Sequence, residues 1–544
     1  MLKGSHFKPW LWLSIWSLLI ITALYFRPLL PVDETRYVSV AWEMWLQENF
    51  LVPYLNGIAY SHKPPFLFWI INIGWGIFGI NEWWPRLVAP LFGLACLFLS
   101  SITCKRLEPE SEAYLIVPII LIGTIYWGIF TTLTMFDLII TFWTLIGING
   151  LIDIVKGRKF RGWILYTIAI SLGTLTKGPV ILIYLLPIAL FGPYWASDQI
   201  ELDWRAWYFK ILTSFFTAIA IALTWAIPAG IAGGEIYQNA IFWGQSAGRV
   251  VESFAHREPF WWYLAITPIL LMPWLLWPSL LRKLWHKINN RKKIKKREPG
   301  LRILFVWITS TIIILSLISG KQPHYLLPIF PALAIAVAIL ITSFSEKDLC
   351  EHRLDMLPYI VLLLLTGLFI FLLPEYRGSS DIAEWTDKIN RWWAIPLIGY
   401  GIFLGVKTSR LLHIRVIAIS LIAPILIVSL SGILKPILSK NYDLRSISEY
   451  LAKQQREGYI IANYGKYHGQ FHFLGKLKNK IFEIGDGNIK NWLSENPRTK
   501  IISIQTEINN KYPKPEYVQR YRGKYILIWD RSIVINHPSA PQRK

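Results

Sequence analysis

Near the start of the chain, after a long apolar stretch, lies Pro31-Val-Asp-Glu-Thr-Arg-Tyr37, where the adjacent carboxylates Asp33 and Glu34 stand beside Arg36 and Tyr37. An exposed carboxylate can take the proton from an attacking hydroxyl, which is the general-base role. Asp33 is also placed to cap a juxtamembrane helix, its side chain accepting a first-turn amide. Further on, Tyr60-Ser-His-Lys-Pro-Pro65 sets His62 and Lys63 at a helix edge pinned by two prolines. A cation there could grip a lipid phosphate as negative charge develops on it. The alternative is a lysine that only snorkels to the interface.

Thr134-Met-Phe-Asp137 puts an acid at the turn of an apolar hairpin, and Thr176-Lys-Gly-Pro179 puts Lys177 at another turn. Charges inside apolar segments are rare and point to function; simple turn chemistry is the competing reading for both. Arg249 to Phe260 reads RVVESFAHREPF, and Trp261 and Trp262 after it have the character of an interface anchor. His256 in that stretch, and His324 and Tyr325 in Gly320-Lys-Gln-Pro-His-Tyr325, complete the set of substrate-binding candidates. His62, His256 and His324 are the imidazoles that would meet at a divalent metal, but no spacing of the HExxH kind marks a site, and no metal ligand is assigned.

The surroundings are apolar. Of 544 residues 54% are hydrophobic and only 17% charged, against roughly 25% charged in soluble domains. Aromatic residues make up 15%, with 28 Trp, the residue that gathers at membrane interfaces. The net charge of +22 does not mark a nucleic-acid binder, because the basic residues sit in short clusters between apolar runs, densest at Arg282–Arg297 (RKLWHKINNRKKIKKR). That is the pattern of the positive-inside rule, with the clusters against anionic headgroups. The cysteines Cys96, Cys104 and Cys350 form no CxxC, so neither a disulfide framework nor a cysteine-built metal site is expected.

A helix needs about 20 apolar residues to cross a bilayer core. Runs of that kind lie near 10–30, 83–103, 113–131, 136–154, 162–176, 178–195, 209–228, 261–281, 301–319, 325–344, 357–373, 392–407 and 414–435, about thirteen in all. The pair 162–176 and 178–195 could also be one kinked helix. The first run is too long for a signal peptide and reads as an uncleaved helix with a cytoplasmic N-terminus. Phe66–Ile80 is apolar but short and reads as a helix lying in the interface. Alternation then makes most basic loops cytoplasmic and places Pro31–Glu82, the turns at Asp137 and Lys177, 229–260, 320–325 and the tail outside. The fold class expected is an all-α polytopic membrane protein (1–436) with a small extracytoplasmic α/β domain (437–544). In that tail, helix candidates Leu444–Arg456 and Ile489–Asn496 alternate with strand-like Tyr459–Asn463, Lys480–Ile484, Lys500–Gln505 and Tyr525–Trp529.

DETRY, Trp42-Glu-Met44, Leu51-Val-Pro53 and the Tyr60–Pro65 stretch together resemble the first outer loop of a superfamily, that of the lipid A aminoarabinose transferases and protein O-mannosyltransferases. The resemblance continues in order through Thr134–Asp137, TKGP, HREPFWWY and KQPHYLLPIFPALAI, over most of residues 1–345. It implies a GT-C fold, a helix bundle with its active site at the outer face, and transfer of a sugar from a polyprenyl-phosphate donor. By the same match Asp33 falls on the family's essential first-loop acid, Lys63 on its phosphate-contacting lysine, and Asp137 on a second acid of the site, with Arg36 and Tyr37 in the first-loop motif. One departure stands out: the aminoarabinose transferases tend to have Glu-Lys-Pro where this chain has His62-Lys63-Pro64. Aminoarabinose and lipid A are therefore not carried over.

The sequence is thus read as an inverting glycosyltransferase of the plasma (inner) membrane, moving a sugar from a polyprenyl-phosphate donor to a lipid, glycan or protein acceptor. Asp33 deprotonates or orients the acceptor hydroxyl, Asp137 positions Asp33 or the acceptor, and Lys63 with Lys177 steadies the departing phosphate. Glu34, Arg36, Tyr37, His62, His256, His324 and Tyr325 line the substrate. Nucleic acid is not a partner. The rival is a flippase or transporter that binds the same lipid phosphate, which needs cations but no general base.

Overall fold

In hydrocarbon each backbone amide must be bonded within its own segment, so the apolar runs can only be helices. A computed structural model describes residues 9–196, 203–244, 257–289, 299–344, 353–375, 386, 388–407, 411–485, 489–509 and 511–542. The first part of the chain forms α1 (Pro9–Phe26), α2 (Asp33–Leu46), α3 (Phe66–Phe78), α4 (Trp83–Leu107), α5 (Ala113–Ile122), α6 (Ile125–Phe130), α7 (Asp137–Val155), α8 (Lys159–Lys177), α9 (Ile181–Leu190), α10 (Gly192–Ala196) and α11 (Trp204–Gly233). Apolar helices follow at Pro299–Leu317, Phe330–Thr342, Leu357–Leu372, Ile395–Val406 and Leu412–Asn441. The protein is a multi-pass helical membrane protein.

Among the described residues eight helices are long and apolar enough to cross a membrane, and four apolar helices are shorter. The expected count of about thirteen is not confirmed, because several of the apolar runs are broken locally. The run 261–281 is divided into Trp262–Leu270, a short turn at Trp274–Leu276 and Pro278–Asn289; Pro268, Pro273 and Pro278 each lack the amide a continuous helix needs. The run 113–131 breaks at Gly123, whose Cβ, were there one, would lie 2.6 Å from the Ser420 backbone. There the Ile125 amide donates across to the Met272 carbonyl at 3.0 Å. Lys159–Leu190 is continuous in composition, yet a Cβ on Gly173 would meet Ile181 at 2.5 Å. The chain therefore folds back at Gly178, whose φ of +73° suits glycine, and α8 and α9 run antiparallel. α3, with 13 residues, is about 20 Å long and too short for a core of about 30 Å.

Contacts divide the chain into two compact units that cut across chain order. One comprises residues 1–25, 61–67 and 85–433, and the other 26–60, 68–84 and 434–544. The centre of the first is α7, packed tightly along α8. A Cβ on Gly162 would sit 2.5 Å from the Gly150 carbonyl oxygen, and one on Gly147 2.7 Å from Leu185. Small residues let these backbones approach, as dispersion and close packing require where lipid supplies no hydrophobic drive. At the C-terminal end of α7, buried Asp153 meets Arg106 at 3.2 Å and Arg161 at 3.5 Å.

The second unit is built on a five-stranded sheet, β4-β3-β5-β7-β6, of β3 (Ile460–Tyr464), β4 (Phe482–Ile484), β5 (Thr499–Gln505), β6 (Tyr517–Tyr521) and β7 (Lys524–Asp530). β3 is parallel to β4 and β5, while β7 is antiparallel to β5 and β6. Helices Arg445–Arg456 and Ile489–Glu495 cover it. The same unit holds α2 and a two-residue hairpin, β1 (Tyr54–Leu55) and β2 (Ile58–Ala59). Its Asn56-Gly57 turn has φ of +57° and +74°, the signature of a type I′ turn. The loop is stitched to the tail by named bonds. The Asn56 side chain donates to the Ile481 carbonyl and accepts from its amide, both at 2.7 Å. Trp42 Nε1 donates to the Leu477 carbonyl at 3.0 Å, and the Phe473 amide donates to Ser39 Oγ at 3.1 Å. Trp75 stacks on Phe473 at 5.2 Å.

At this seam Glu43 accepts the amides of Asn56 and Gly57, the latter at 2.9 Å, and burial raises its pKa. Its Oε1 lies 3.9 Å from Nε2 of buried His472, whose Nδ1 shares a 2.9 Å hydrogen bond with the Tyr467 hydroxyl. Burial pushes the His472 imidazole down to about 4. The unfolded chain therefore binds the proton first, and the stability contributed by neutral His472 is complete above its ordinary pKa of about 6.5 and lost as pH falls towards 4. By about pH 5 the loss is about 2 kcal/mol; Glu43, with a raised pKa, contributes the opposite slope nearby. Hydrogen-exchange protection of residues 444–484 is expected to fall by about tenfold or more between pH 7.5 and pH 5 in the wild type. In His472→Gln the fall is expected to be much smaller, and equal profiles would refute the assignment.

Candidate functional site

The acidic pair of the first loop separates into two environments. Val32 precedes the first turn of α2 with no side-chain cap, and Asp33 is its first residue, so Asp33 does not serve as the cap that the sequence also allowed. Its side chain is 56% exposed and ion-pairs with Arg36, and the Tyr37 hydroxyl lies 3.5 Å from the same oxygen. The Arg36 guanidinium lies 5.5 Å from the centre of the Tyr37 ring. Burial first, then the Asp33 charge, pushes the Tyr37 phenol up, so it stays a neutral donor. Glu34, by contrast, points inward. It binds Arg27 in a fork, with one arm at 3.0 Å, and accepts the Leu30 amide at 2.8 Å, closing the turn that leads into α2. Arg36 also feels the Tyr60 hydroxyl.

In the other unit Asp137 opens α7 and Lys177 closes α8. The antiparallel packing of these helices brings the two ends level, and Lys177 Nζ meets Asp137 Oδ1 at 2.6 Å, with side chains 7% and 4% exposed. A carboxylate at a helix N-terminus and an ammonium at a C-terminus both suit the helix dipoles. The Lys177 ammonium also lies 4.7 Å from the Tyr325 ring centre. His324 and Lys63 add positive charge felt by Asp137, and Lys63 Nζ is 5.6 Å from the Phe136 ring centre. Pro64 and Pro65 follow Lys63, and the short helix Pro323–Ile329 carries His324 and Tyr325. Tyr184 donates to the Tyr325 carbonyl at 2.9 Å, and Tyr263 exchanges hydrogen bonds with the Gln322 backbone at 3.1 Å, fixing that turn. The nearby Lys321 ammonium binds the Glu258 and Ile318 carbonyls at 3.0 and 2.7 Å.

One unit thus brings together Asp137, Lys177, Lys63, His324 and Tyr325, an acid among cations and rings. Its chemistry suits an anion with spread charge, such as a phosphate. The other brings together Asp33, Arg36 and Tyr37, an exposed carboxylate beside a guanidinium and a phenol. His62 is exposed next to Lys63, and His256 lies outside the described residues. Among the described residues no three His, Cys, Asp or Glu gather as a metal site. Sequence reasoning missed Tyr126, Tyr184 and Tyr263. The Tyr126 hydroxyl is buried with no hydrogen-bond partner among the described residues and feels the Asp137 charge. A tyrosine within an apolar run gives no spacing signal, so nothing short of the fold could have found it.

Residues 62–228 match the family described as dolichyl-phosphate-mannose-protein mannosyltransferase. An undecaprenyl phosphate-alpha-4-amino-4-deoxy-L-arabinose arabinosyl transferase of Pseudomonas paraeruginosa is 25% identical over 434 residues, 73% of this chain and 76% of that protein. Its counterpart in Enterobacter sp. is 30% identical over 333 residues, 59% of this chain and 57% of its own. Among solved structures, apo ArnT from Cupriavidus metallidurans matches with a TM-score of 0.74 at 16% identity, covering 96% of this chain and 98% of that one. The same protein bound to undecaprenyl phosphate matches at 0.71 and 16% identity, covering 95% and 97%. At that identity the likeness establishes the fold, which is GT-C.

Proposed function

We propose that the chain belongs to the lipid A aminoarabinose transferase and protein O-mannosyltransferase superfamily of polyprenyl-phosphate-sugar-dependent enzymes, and that it is an inverting membrane glycosyltransferase. It moves a sugar from a polyprenyl-phosphate donor to a lipid, glycan or protein acceptor on the outer face of the plasma (inner) membrane, with its N-terminus in the cytoplasm. The observation that carries this reading is the buried Lys177–Asp137 pair set among Lys63, His324 and Tyr325, on a fold shared with a protein solved with undecaprenyl phosphate bound.

The roles follow from charge and exposure. Cleaving the bond from sugar C1 to the phosphate oxygen leaves charge on that phosphate, and Lys63 with Lys177 stabilises it. His324 and Tyr325 bound the same anion. The attacking hydroxyl loses its proton to Asp33, whose exposed carboxylate is aimed by Arg36 and Tyr37. Glu34 holds the turn in front of α2. The names of the relatives point to undecaprenyl phosphate as carrier and 4-amino-4-deoxy-L-arabinose as sugar. His62, where the aminoarabinose transferases tend to carry Glu, makes the sugar the variable to test.

The test is transfer in nanodiscs from radiolabelled polyprenyl-phosphate sugars, with aminoarabinose, mannose and glucose among them. Label is expected to pass from one donor into an acceptor or to water. Tight donor binding with no turnover for any sugar would favour a flippase or transporter instead.

A further inference from the structure

The end of α8 far from Lys177 carries a feature that transfer chemistry does not use. Lys159 and Lys177 are the first and last residues of α8, about 27 Å apart along the helix. Beside Lys159, α8 and α11 enclose a groove of about 670 Å³, floored by Ile154 of α7. That is the size of a ligand site rather than a packing defect. Its long walls are apolar, with Trp163, Ile164 and Ile168 on one side and Trp207 and Ile221 on the other. Its lining also holds two ammonium groups, Lys159 and Lys210.

The polar groups of the lining show which charge is unmet. Thr167 donates to the Trp163 carbonyl at 2.8 Å and Thr213 to that of Lys210 at 3.0 Å. The Asp203 carboxylate caps α11, accepting the Arg205 and Ala206 amides at 2.9 and 3.3 Å. Among the described residues neither Lys159 nor Lys210 has a carboxylate partner. The neighbouring sequence adds Lys156, Arg158 and Arg161 before and after Lys159, and Arg205 before Lys210; of these Arg161 is paired with Asp153. An occupant must therefore be apolar along its length and anionic at one end. The apolar wall from Lys159 to Ile168 rises about 14 Å, close to half of a hydrocarbon core of about 30 Å.

We propose that this groove is a binding site for one anionic membrane phospholipid. Its phosphate sits between Lys159 and Lys210, and one acyl chain lies along Trp163, Ile164, Ile168 and Ile221. The occupant wedges α8 against α11, the helices whose partners build the Lys177 end.

The test uses full-length protein in phosphatidylcholine nanodiscs doped with a phosphatidylglycerol that carries a photoreactive acyl chain, and maps the labelled peptides. Labelling is expected in 159–168 and 206–221. Unlabelled phosphatidylglycerol is expected to compete and phosphatidylcholine is not. Lys159→Gln is expected to weaken labelling about fivefold and Lys159→Gln/Lys210→Gln about twentyfold. Sugar transfer at the other end should be retained in both variants, which shows that they are folded. Equal labelling by a photoreactive phosphatidylcholine, or labelling unchanged in the double variant, overturns the charge-selective site. Displacement by undecaprenyl phosphate at lower concentration than by phosphatidylglycerol overturns the assigned occupant.

Discussion

Asp33→Asn is expected to lower sugar transfer by about a hundred- to ten-thousandfold while leaving the protein folded and able to bind donor. The amide keeps the size of the carboxylate and can still meet Arg36 and Tyr37, but it cannot accept a proton from the acceptor hydroxyl. Stability is little affected, because the Asp33 side chain is 56% exposed and its pair with Arg36 faces solvent, and such pairs contribute only about 0–1 kcal/mol. The adjacent Glu34→Gln gives the opposite pattern. Glu34 is buried and holds Arg27 and the Leu30 amide, so its neutralisation loosens the turn and destabilises the second unit, with donor binding and chemistry affected only through that loss. Single-turnover transfer beside thermal unfolding in nanodiscs separates the two. Wild-type turnover by Asp33→Asn would remove the general base from the proposal.

That contrast marks the limit of what the first loop states in letters. The sequence names two neighbouring acids; only burial says which one is exposed beside Arg36 and which one closes a turn. Asp33, Lys63 and Asp137 stand out in the sequence as candidates because acids and lysines beside prolines are unusual at the edges of apolar runs. The Lys177–Asp137 pairing was not, since it depends on α7 and α8 lying level, and the contacts that set that register are glycines 147, 150 and 162. In the tail the strand-like runs match β3, β4, β5 and β7 closely; β3, β5 and β7 each bury most of their residues. β6, the edge strand Tyr517–Tyr521, has the adjacent polar residues Gln519 and Arg520 in its middle and buries fully only Tyr521, so no strand-like run marks it. The two-residue strands β1 and β2 are too short for any periodicity, although the Asn56-Gly57 turn between them was a usable signal. The grouping of the first loop with the tail was hidden for a different reason. It rests on single bonds between residues more than 400 apart, such as Asn56 to Ile481, and no local pattern records them.

The buried pair allows stability and chemistry to be measured apart. Lys177→Met leaves the Asp137 carboxylate buried at 4% exposure without the ammonium 2.6 Å away. Removing one partner of a buried pair costs about 3–5 kcal/mol, whereas replacing both is often near neutral. Lys177→Met is therefore expected to unfold more readily in mixed micelles, and Asp137→Asn/Lys177→Met to recover most of the loss. The α7 N-terminus and the charges of Lys63 and His324 moderate the single-variant effect without abolishing it. Transfer follows a different rule. If Lys177 stabilises the departing phosphate, its loss lowers turnover by about a hundredfold or more in the single and the double variant alike, because restoring the fold does not restore the cation. Lys177→Arg keeps the charge and should retain more activity than either. A double variant that regains transfer together with stability would make Lys177 a structural residue and leave the phosphate to Lys63.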